Sequence, residues 1–431
     1  MPSVGDKVKI ATKKETIEGL FMPSFDENII LIKLSTGYNI GLEKKDIQKI
    51  TVTEKAKEPT ATKTKITKNQ DLPTISILHT GGTIASKVDY RTGGVVSNFT
   101  PQQLLSLYPE LQNIANIESQ LISQMWSDDL RFKHITLIAK AIEQHVKKEN
   151  NKGIIVAIGT DNLTVAAAAL SFIIEQTPIP IILVGSQRSS DRGSSDGGMN
   201  LICAAQFITQ SSWNGVAICM HESENDDNCL ILPATKTYKL HSSRRDAFKP
   251  INADALAKVN YQTKKVEFLK AQQLKQTNQS LIIKPKLEEK VGLLKIHINM
   301  FPEQFEFYKG YKGLIIEGTG LGHTPGQTPN PESVIHKKIY PAIKKLTQSG
   351  CIVVMTTQCL FGGVNMNVYD KGRDLINLGV ISGEDMLVNT ALVKLSWLLA
   401  NYPKNKVKEL VGENLRGEIN TQHNYQEKFL K

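Results

Sequence analysis

What this chain has little of narrows its class before any motif is read. No apolar run in its 431 residues approaches the roughly eighteen needed to span a bilayer, and its start lacks the unbroken apolar core of a secretion signal. A cytoplasmic location with no membrane partner is therefore expected. Cysteine is scarce: Cys203, Cys219, Cys229, Cys351 and Cys359 are odd in number, form no CxxC pair and mostly sit in apolar, strand-like runs. That pattern predicts buried free thiols, with neither a disulfide framework nor a zinc site. No GxxxxGK[ST] occurs, and Gly318-Thr319-Gly320-Leu321-Gly322 is followed by His323 where the dinucleotide fingerprint requires glycine. The chain is thus expected to hold no metal, no nucleotide and no cofactor of its own.

What is present is the mix of a globular protein, with 40% hydrophobic and 22% charged residues and enough length for two or three domains. The net charge of +10 has two readings: attraction to a polyanion such as tRNA, or simply a lysine-rich background composition. The lysines are spread along the chain, so charge alone does not choose between these. Residues 1–53 alternate in short β-like runs, Lys7–Ile10, Thr16–Phe21, Ile29–Leu34 and Tyr38–Leu42, broken by Pro23, Asp26, Asn28 and Gly37. A small SH3-like barrel is the expected product. Residues 54–71, rich in Lys, Thr and Glu, read as a solvated linker.

Beyond the linker, apolar strand patterns alternate with helical ones, the signature of a doubly wound α/β sheet. Residues 72–285 form one such unit, with strands at Ile75–Leu78, Ile154–Ala157, Ile181–Val184 and Val216–Cys219 and helices at Phe132–Lys148, Leu163–Ile174 and Met199–Thr209. Residues 286–431 form a second unit, with strands at Val291–Ile298, Gly313–Glu317 and Cys351–Thr356, a helix around Pro331–Thr347 and a long one at Met386–Leu399.

The chain is organised around Thr74–Ser86, TISILHTGGTIAS, a buried strand that empties into a glycine-hinged loop. Gly81 and Gly82 permit close backbone approach, and the hydroxyls of Thr80 and Thr83 are left at the carboxyl end of the strand, where open α/β sheets place their ligands. Thr83, or alternatively Thr80, is a candidate nucleophile. A second strand, Gly153–Ile158, opens into Gly159-Thr160-Asp161 ahead of a helical run from Asn162 to Gln176. Asp161 stands where a helix N-cap stands, and a helix amino terminus favours an anionic group. Gly185-Ser186-Gln187-Arg188 follows the next strand and is placed to line the same cleft.

The TGGTIA loop, the GTD loop and a downstream lysine resemble the L-asparaginase family, over roughly Leu72 to the carboxyl terminus. Three further segments, KLHSSRRDAF from Lys239, EGTGLGH from Glu317 and QCLFGGVNMNVYDKGR from Gln358, together with the amino-terminal extension, are similar to the D-subunit family of archaeal glutamyl-tRNA(Gln) amidotransferases. The resemblance implies a pair of asparaginase-like parallel-sheet α/β domains behind a small β-barrel. It implies Thr83, Thr160, Asp161 and Lys239 as the catalytic set, with Gly82, Tyr90, Ser127 and Gly159 at the substrate. Lys236 competes with Lys239, but counting back from Phe248 puts Lys239 on the family position and leaves Lys236 as a surface charge. Ser127, beside Asp129, reads on its own as a helix cap. The second loop departs from the family's HGTDT, with Ile158 and Asn162 flanking the retained Gly159-Thr160-Asp161.

The function implied is hydrolysis of glutamine to release ammonia, which a partner E subunit uses to convert Glu-tRNA(Gln) to Gln-tRNA(Gln). By the same resemblance the partner consumes ATP with magnesium, tRNA(Gln) is engaged through the complex, and this chain forms a homodimer within a heterotetramer. A free-standing cytoplasmic L-asparaginase and a structural subunit with a decayed site are the alternatives.

Overall fold

The computed structural model describes residues 2–24, 26–36, 38–56, 69–81, 87–88, 95–96, 105, 107–190, 192–269 and 280–422. Five antiparallel strands, β1 (Lys7–Thr12), β2 (Thr16–Met22), β3 (Ile29–Lys33), β4 (Asn39–Glu43) and β5 (Ile47–Glu54), form the amino-terminal module in the order β4-β3-β2-β1-β5. The inward residues Val8, Ile10, Ile30 and Ile32 make its core. The fifth strand was not expected, because it buries none of its residues fully and its apolar alternation is correspondingly faint.

The first α/β unit is built on β6 (Thr74–His79), β7 (Asn116–Leu121), β8 (Asn151–Ala157), β9 (Pro180–Val184), β10 (Gly215–His221) and β11 (Asn228–Pro233), followed by the hairpin β12 (Thr237–Lys239) and β13 (Phe248–Pro250), then β14 (Ala257–Asn260) and β15 (Val266–Phe268). Its main sheet has eight strands in the order β15-β14-β11-β10-β9-β8-β6-β7. From β7 to β10 all neighbours are parallel, and from β10 outward they are antiparallel. The switch has a simple cause: the few residues between His221 and Asn228 can turn the chain back but cannot carry the crossover a parallel neighbour needs. Helices α1 (Phe132–Val146), α2 (Leu163–Ile173) and α3 (Gly197–Gln210) cover the faces. Helix α2 stops short of the expected Gln176 because Ile174–Gln176 leaves it to pair with Ile282–Ile283.

The second unit carries a four-stranded parallel sheet, β16 (Val291–Lys295), β17 (Gly313–Gly318), β18 (Ile352–Thr357) and β19 (Ile381–Ser382). Around it lie α4 (Pro302–Glu306), a 3-10 turn at Pro331–Lys338 running into α5 (Ile339–Gln348), α6 (Asp370–Asn377), α7 (Val388–Asn401) and α8 (Lys404–Leu410). Helix α2 packs on α7, its run Ala166–Ala169 buried, with Phe172 stacked on Trp397 at 5.9 Å between ring centroids. Two ion pairs with almost no exposure accompany this apolar contact. Lys236 Nζ lies 2.5 Å from Asp385 Oδ2 and donates to the Asp385 carbonyl at 3.0 Å, and Lys394 Nζ lies 2.6 Å from Glu418 Oε1. Lys236 is therefore not the surface charge expected from sequence. Its partner lies in the other unit, 149 residues further along the chain.

Candidate active site

Strand β6 delivers its loop beside that of β8: the Thr80 amide donates to the Ala157 carbonyl at 3.2 Å, and Met125 donates to the Thr80 carbonyl at 3.0 Å. Gly81 follows at φ +85°, a conformation that favours glycine. Thr83, Gly82 and Tyr90 lie outside the described residues. Thr80, the alternative nucleophile, is buried.

The β8 loop and the 3-10 turn Ser127–Asp129 are fitted together. A Cβ on Gly159 would meet Ser127 Oγ at 2.7 Å, so only glycine lets the two backbones come this close. Ser127 is buried; its Oγ accepts from the Asp161 amide at 3.2 Å, and its carbonyl accepts from Asn162 Nδ2 at 2.7 Å. Ser127 thus does not cap α1, whose first turn begins after Arg131. Asp161 does not cap α2 either. The cap position is Asn162, whose side chain makes no capping bond because it reaches back to Ser127.

Lys239 arrives from β12, paired to Phe248 across the hairpin. Its Nζ donates to Thr160 Oγ1 at 3.0 Å and lies 2.9 Å from Asp161 Oδ1. The lysine is mostly enclosed, at 15% side-chain exposure, while the aspartate is 65% exposed and faces the opening. A cleft of about 310 Å³ lies over the pair, bounded by Tyr238 and His241 and, from the second unit, by Asn389. The four sequence-chosen residues Thr160, Asp161, Lys239 and Ser127 are thus contiguous. Gly159 and Gly185 wall them in, since a Cβ on Gly185 would press on Thr160 Cγ2 at 2.8 Å.

The Ser186-Gln187-Arg188 loop is held by a residue that sequence reading missed. Asp196 is fully buried, and its carboxylate accepts from Ser186 Oγ, from the Gln187 and Arg188 amides and from Asn200 Nδ2 at 3.0–3.2 Å. It precedes Gly197-Gly198 at the start of α3, a pattern that reads as an ordinary cap. Four of the five cysteines are buried, Cys359 is exposed, and all are free thiols. Among the described residues no three His, Cys, Asp or Glu side chains converge as metal ligands, and no helix is long and apolar enough to cross a membrane.

Fold and cleft together define an asparaginase-type α/β protein: the asparaginase N-terminal model matches residues 74–274 and the glutaminase/asparaginase C-terminal domain model matches 290–410. The L-asparaginase of Thermococcus kodakarensis superposes with a TM-score of 0.71 at 26% identity, covering 81% of this chain and 100% of that one. L-asparaginase I of Vibrio cholerae does so at 0.68 and 26%, covering 81% and 99%. A further match, to the GatD N-terminal domain, covers residues 3–53. The D subunit of glutamyl-tRNA(Gln) amidotransferase from Methanococcus maripaludis is 42% identical over 97% of this chain and 98% of its own length, and that of Archaeoglobus fulgidus is 40% identical over 96% and 95%. The chain belongs to the D-subunit family of glutamyl-tRNA(Gln) amidotransferases, within the asparaginases.

Proposed function

We propose that this chain is the glutaminase subunit of a tRNA-dependent amidotransferase. The observation that carries the proposal is Lys239 Nζ held between Thr160 Oγ1 and Asp161 Oδ1 on a cleft floor, in a chain matched over 97% of its residues by a D-subunit relative. Thr83 Oγ attacks the side-chain amide carbon of glutamine, with Tyr90 assisting removal of its proton. Ammonia leaves on protonation, and water then cleaves the acyl-enzyme to glutamate. Thr160, Lys239 and Asp161 act as a proton relay in these steps, with Lys239 Nζ donating to Thr160 Oγ1 and the Asp161 carboxylate holding that Nζ in place. Ser127 and Gly159 position the substrate.

The released ammonia passes to a partner E subunit that activates Glu-tRNA(Gln) with ATP and magnesium. In this reading the chain is a cytoplasmic homodimer within a heterotetramer and meets tRNA(Gln) as part of that complex. The amino-terminal module favours a subunit over a free-standing asparaginase, because the solved asparaginases leave nearly a fifth of this chain unmatched.

The test is ammonia release by the purified chain, alone and with its partner, in the presence and absence of Glu-tRNA(Gln). Slow basal turnover, raised several-fold or more by the charged acceptor, is expected. Equal rates in both conditions, with no partner recovered, would leave the free asparaginase as the better account. No amide hydrolysis under any condition would mean a decayed site. Thr83→Val keeps the β-branched shape while removing the hydroxyl, and is expected to lower turnover by about four orders of magnitude. Full activity in that variant would move the nucleophile to Thr80.

A further inference from the structure

The second sheet presents a row of cations at its amino-terminal edge, away from the cleft. Strands β16, β17 and β18 are parallel and in register, Val291 beside Gly313 and Gly313 beside Ile352, so the residues just before them stand side by side at about 4.8 Å per strand. Those positions carry Lys290 and Lys312, the Lys312 amide donating to the Lys290 carbonyl at 2.8 Å. Before β18 comes Gly350 at φ +93°, with the Lys404 ammonium resting against it. All three lysines are exposed, as is Lys309 just upstream of β17. None of the four makes an ion pair among the described residues, although exposed Glu303 and Glu306 lie on the helix immediately preceding.

Aromatic rings are interleaved with these lysines. Residues 307–312 read Phe-Tyr-Lys-Gly-Tyr-Lys, lysines alternating with aromatic residues in one short run. Phe307, Tyr308 and Tyr311 form one cluster, with edge-on contacts of 5.2 Å for Phe307–Tyr308 and 5.1 Å for Tyr308–Tyr311. Tyr308 is fixed, its hydroxyl donating to the Leu293 carbonyl at 2.7 Å and its ring filling the space over Gly292. Tyr311 is capped by Lys290 Nζ, 5.2 Å from its ring centroid. Phe307 stands free of the sheet at 69% exposure. An apolar partner would not be served by four exposed ammonium groups without carboxylate partners among the described residues, and a purely ionic one would not need a braced aromatic ring. A chain of phosphates bearing bases answers both.

We propose that this edge, centred on Phe307, Lys309 and Lys312, is a direct RNA contact, with lysines on the phosphates and Phe307 stacking on an unpaired base. Only the identity of the RNA as tRNA(Gln) rests on the function proposed above.

The test uses the full-length chain and a fluorescein-labelled tRNA(Gln) transcript, followed by anisotropy across a salt series. Phe307→Ala is expected to weaken binding about tenfold. Lys309→Ala with Lys312→Ala is expected to make the slope of log affinity against log salt shallower by about two. Basal ammonia release should be unchanged in both, and its absence in the wild type would count against the glutaminase reading alone. The RNA contact is overturned if affinity and slope are unaltered in both variants, or if the wild-type chain binds no RNA at low salt. It is equally overturned if the variants lose self-association in sedimentation while RNA binding persists, because a second copy of the chain would then cover this edge.

Discussion

Lys236 and Lys239 are three residues apart, each contacts an aspartate, and they stand in opposite environments. Lys236 is enclosed in the seam between the two α/β units, where Asp385 also accepts from Asn420 at 2.8 and 2.9 Å, and where Thr390 Oγ1 donates to the Thr235 carbonyl at 2.8 Å. Burial pulls the Lys236 ammonium below the ordinary lysine range, and the Asp385 carboxylate opposes that shift. Lys239 faces a cleft, its aspartate largely solvated and its other contact a threonine hydroxyl. In the seam each of these polar groups answers another protein group. At the cleft one side of the set is left for a ligand. Saturation of the hydrogen bonds, more than the presence of charge, separates a structural lysine from one available for chemistry.

The comparison breaks most sharply at Lys239. Lys239→Met is expected to cut ammonia release by about 10³-fold or more while leaving the thermal midpoint close to wild type, and combining it with Asp161→Asn should add little, because residues acting as a unit are not additive. A residual rate within tenfold of wild type would remove Lys239 from the relay. Lys236→Met should do the reverse. It strands the Asp385 carboxylate in the seam and is expected to destabilise the protein by about 3–5 kcal/mol in denaturant unfolding, with turnover per folded molecule within a few-fold of wild type. A stable Lys236→Met protein with abolished turnover would exchange the roles of the two lysines.

Periodicity shows both α/β units because their central strands and α2 are apolar nearly throughout, and such segments read the same in sequence and in space. The loops at the ends of β6 and β8 are legible for a related reason, since glycine and hydroxyl residues interrupt apolar strands abruptly. Helix α6 was not legible: it buries only Gly372 and Leu375, too little for a helical period to emerge. The burial of Lys236 was hidden because nothing near it in sequence indicates Asp385. Lys239 was selected by motif register, and no local property distinguishes it from Lys236. Asn162 stands where the family loop HGTDT carries threonine, and its bond to the Ser127 carbonyl becomes visible only in three dimensions.

That bond offers a finer test of the cleft. Asn162→Ala removes one hydrogen bond between two loops and leaves Lys239, Thr160 and Asp161 in place, a change worth about 1 kcal/mol. The expected result is a KM for glutamine raised about fivefold with kcat altered less, since Ser127 is the group displaced. A fall in kcat at constant KM would place Asn162 with the relay and would blur the line between the positioning and the reacting parts of the cleft.

The smallest effect probes a third polar cluster, enclosed like the seam but built without an ion pair. His145, buried at the end of α1, contacts Ser76 Oγ through Nδ1 at 2.8 Å and Gln120 Oε1 through Nε2 at 2.7 Å, while Asn151 Nδ2 donates to its carbonyl at 2.7 Å. Burial, helped by the nearby Lys148 ammonium, lowers its pKa below the ordinary imidazole value of 6.5, against a weaker opposing pull from Glu118. The folded protein therefore binds this proton less readily than the unfolded chain. The stability that His145 contributes is fully present above the unfolded value and is lost as the pH falls from about 6.5 through the folded value. Thermal midpoints measured from pH 8 down to pH 5 should hold steady to about pH 6.5 and then decline by a few degrees. His145→Gln, which keeps polar atoms at the same place but cannot titrate, should flatten part of that decline. An unchanged acid limb in His145→Gln would assign the loss to carboxylates and leave the neutral cluster without a part in the response to pH.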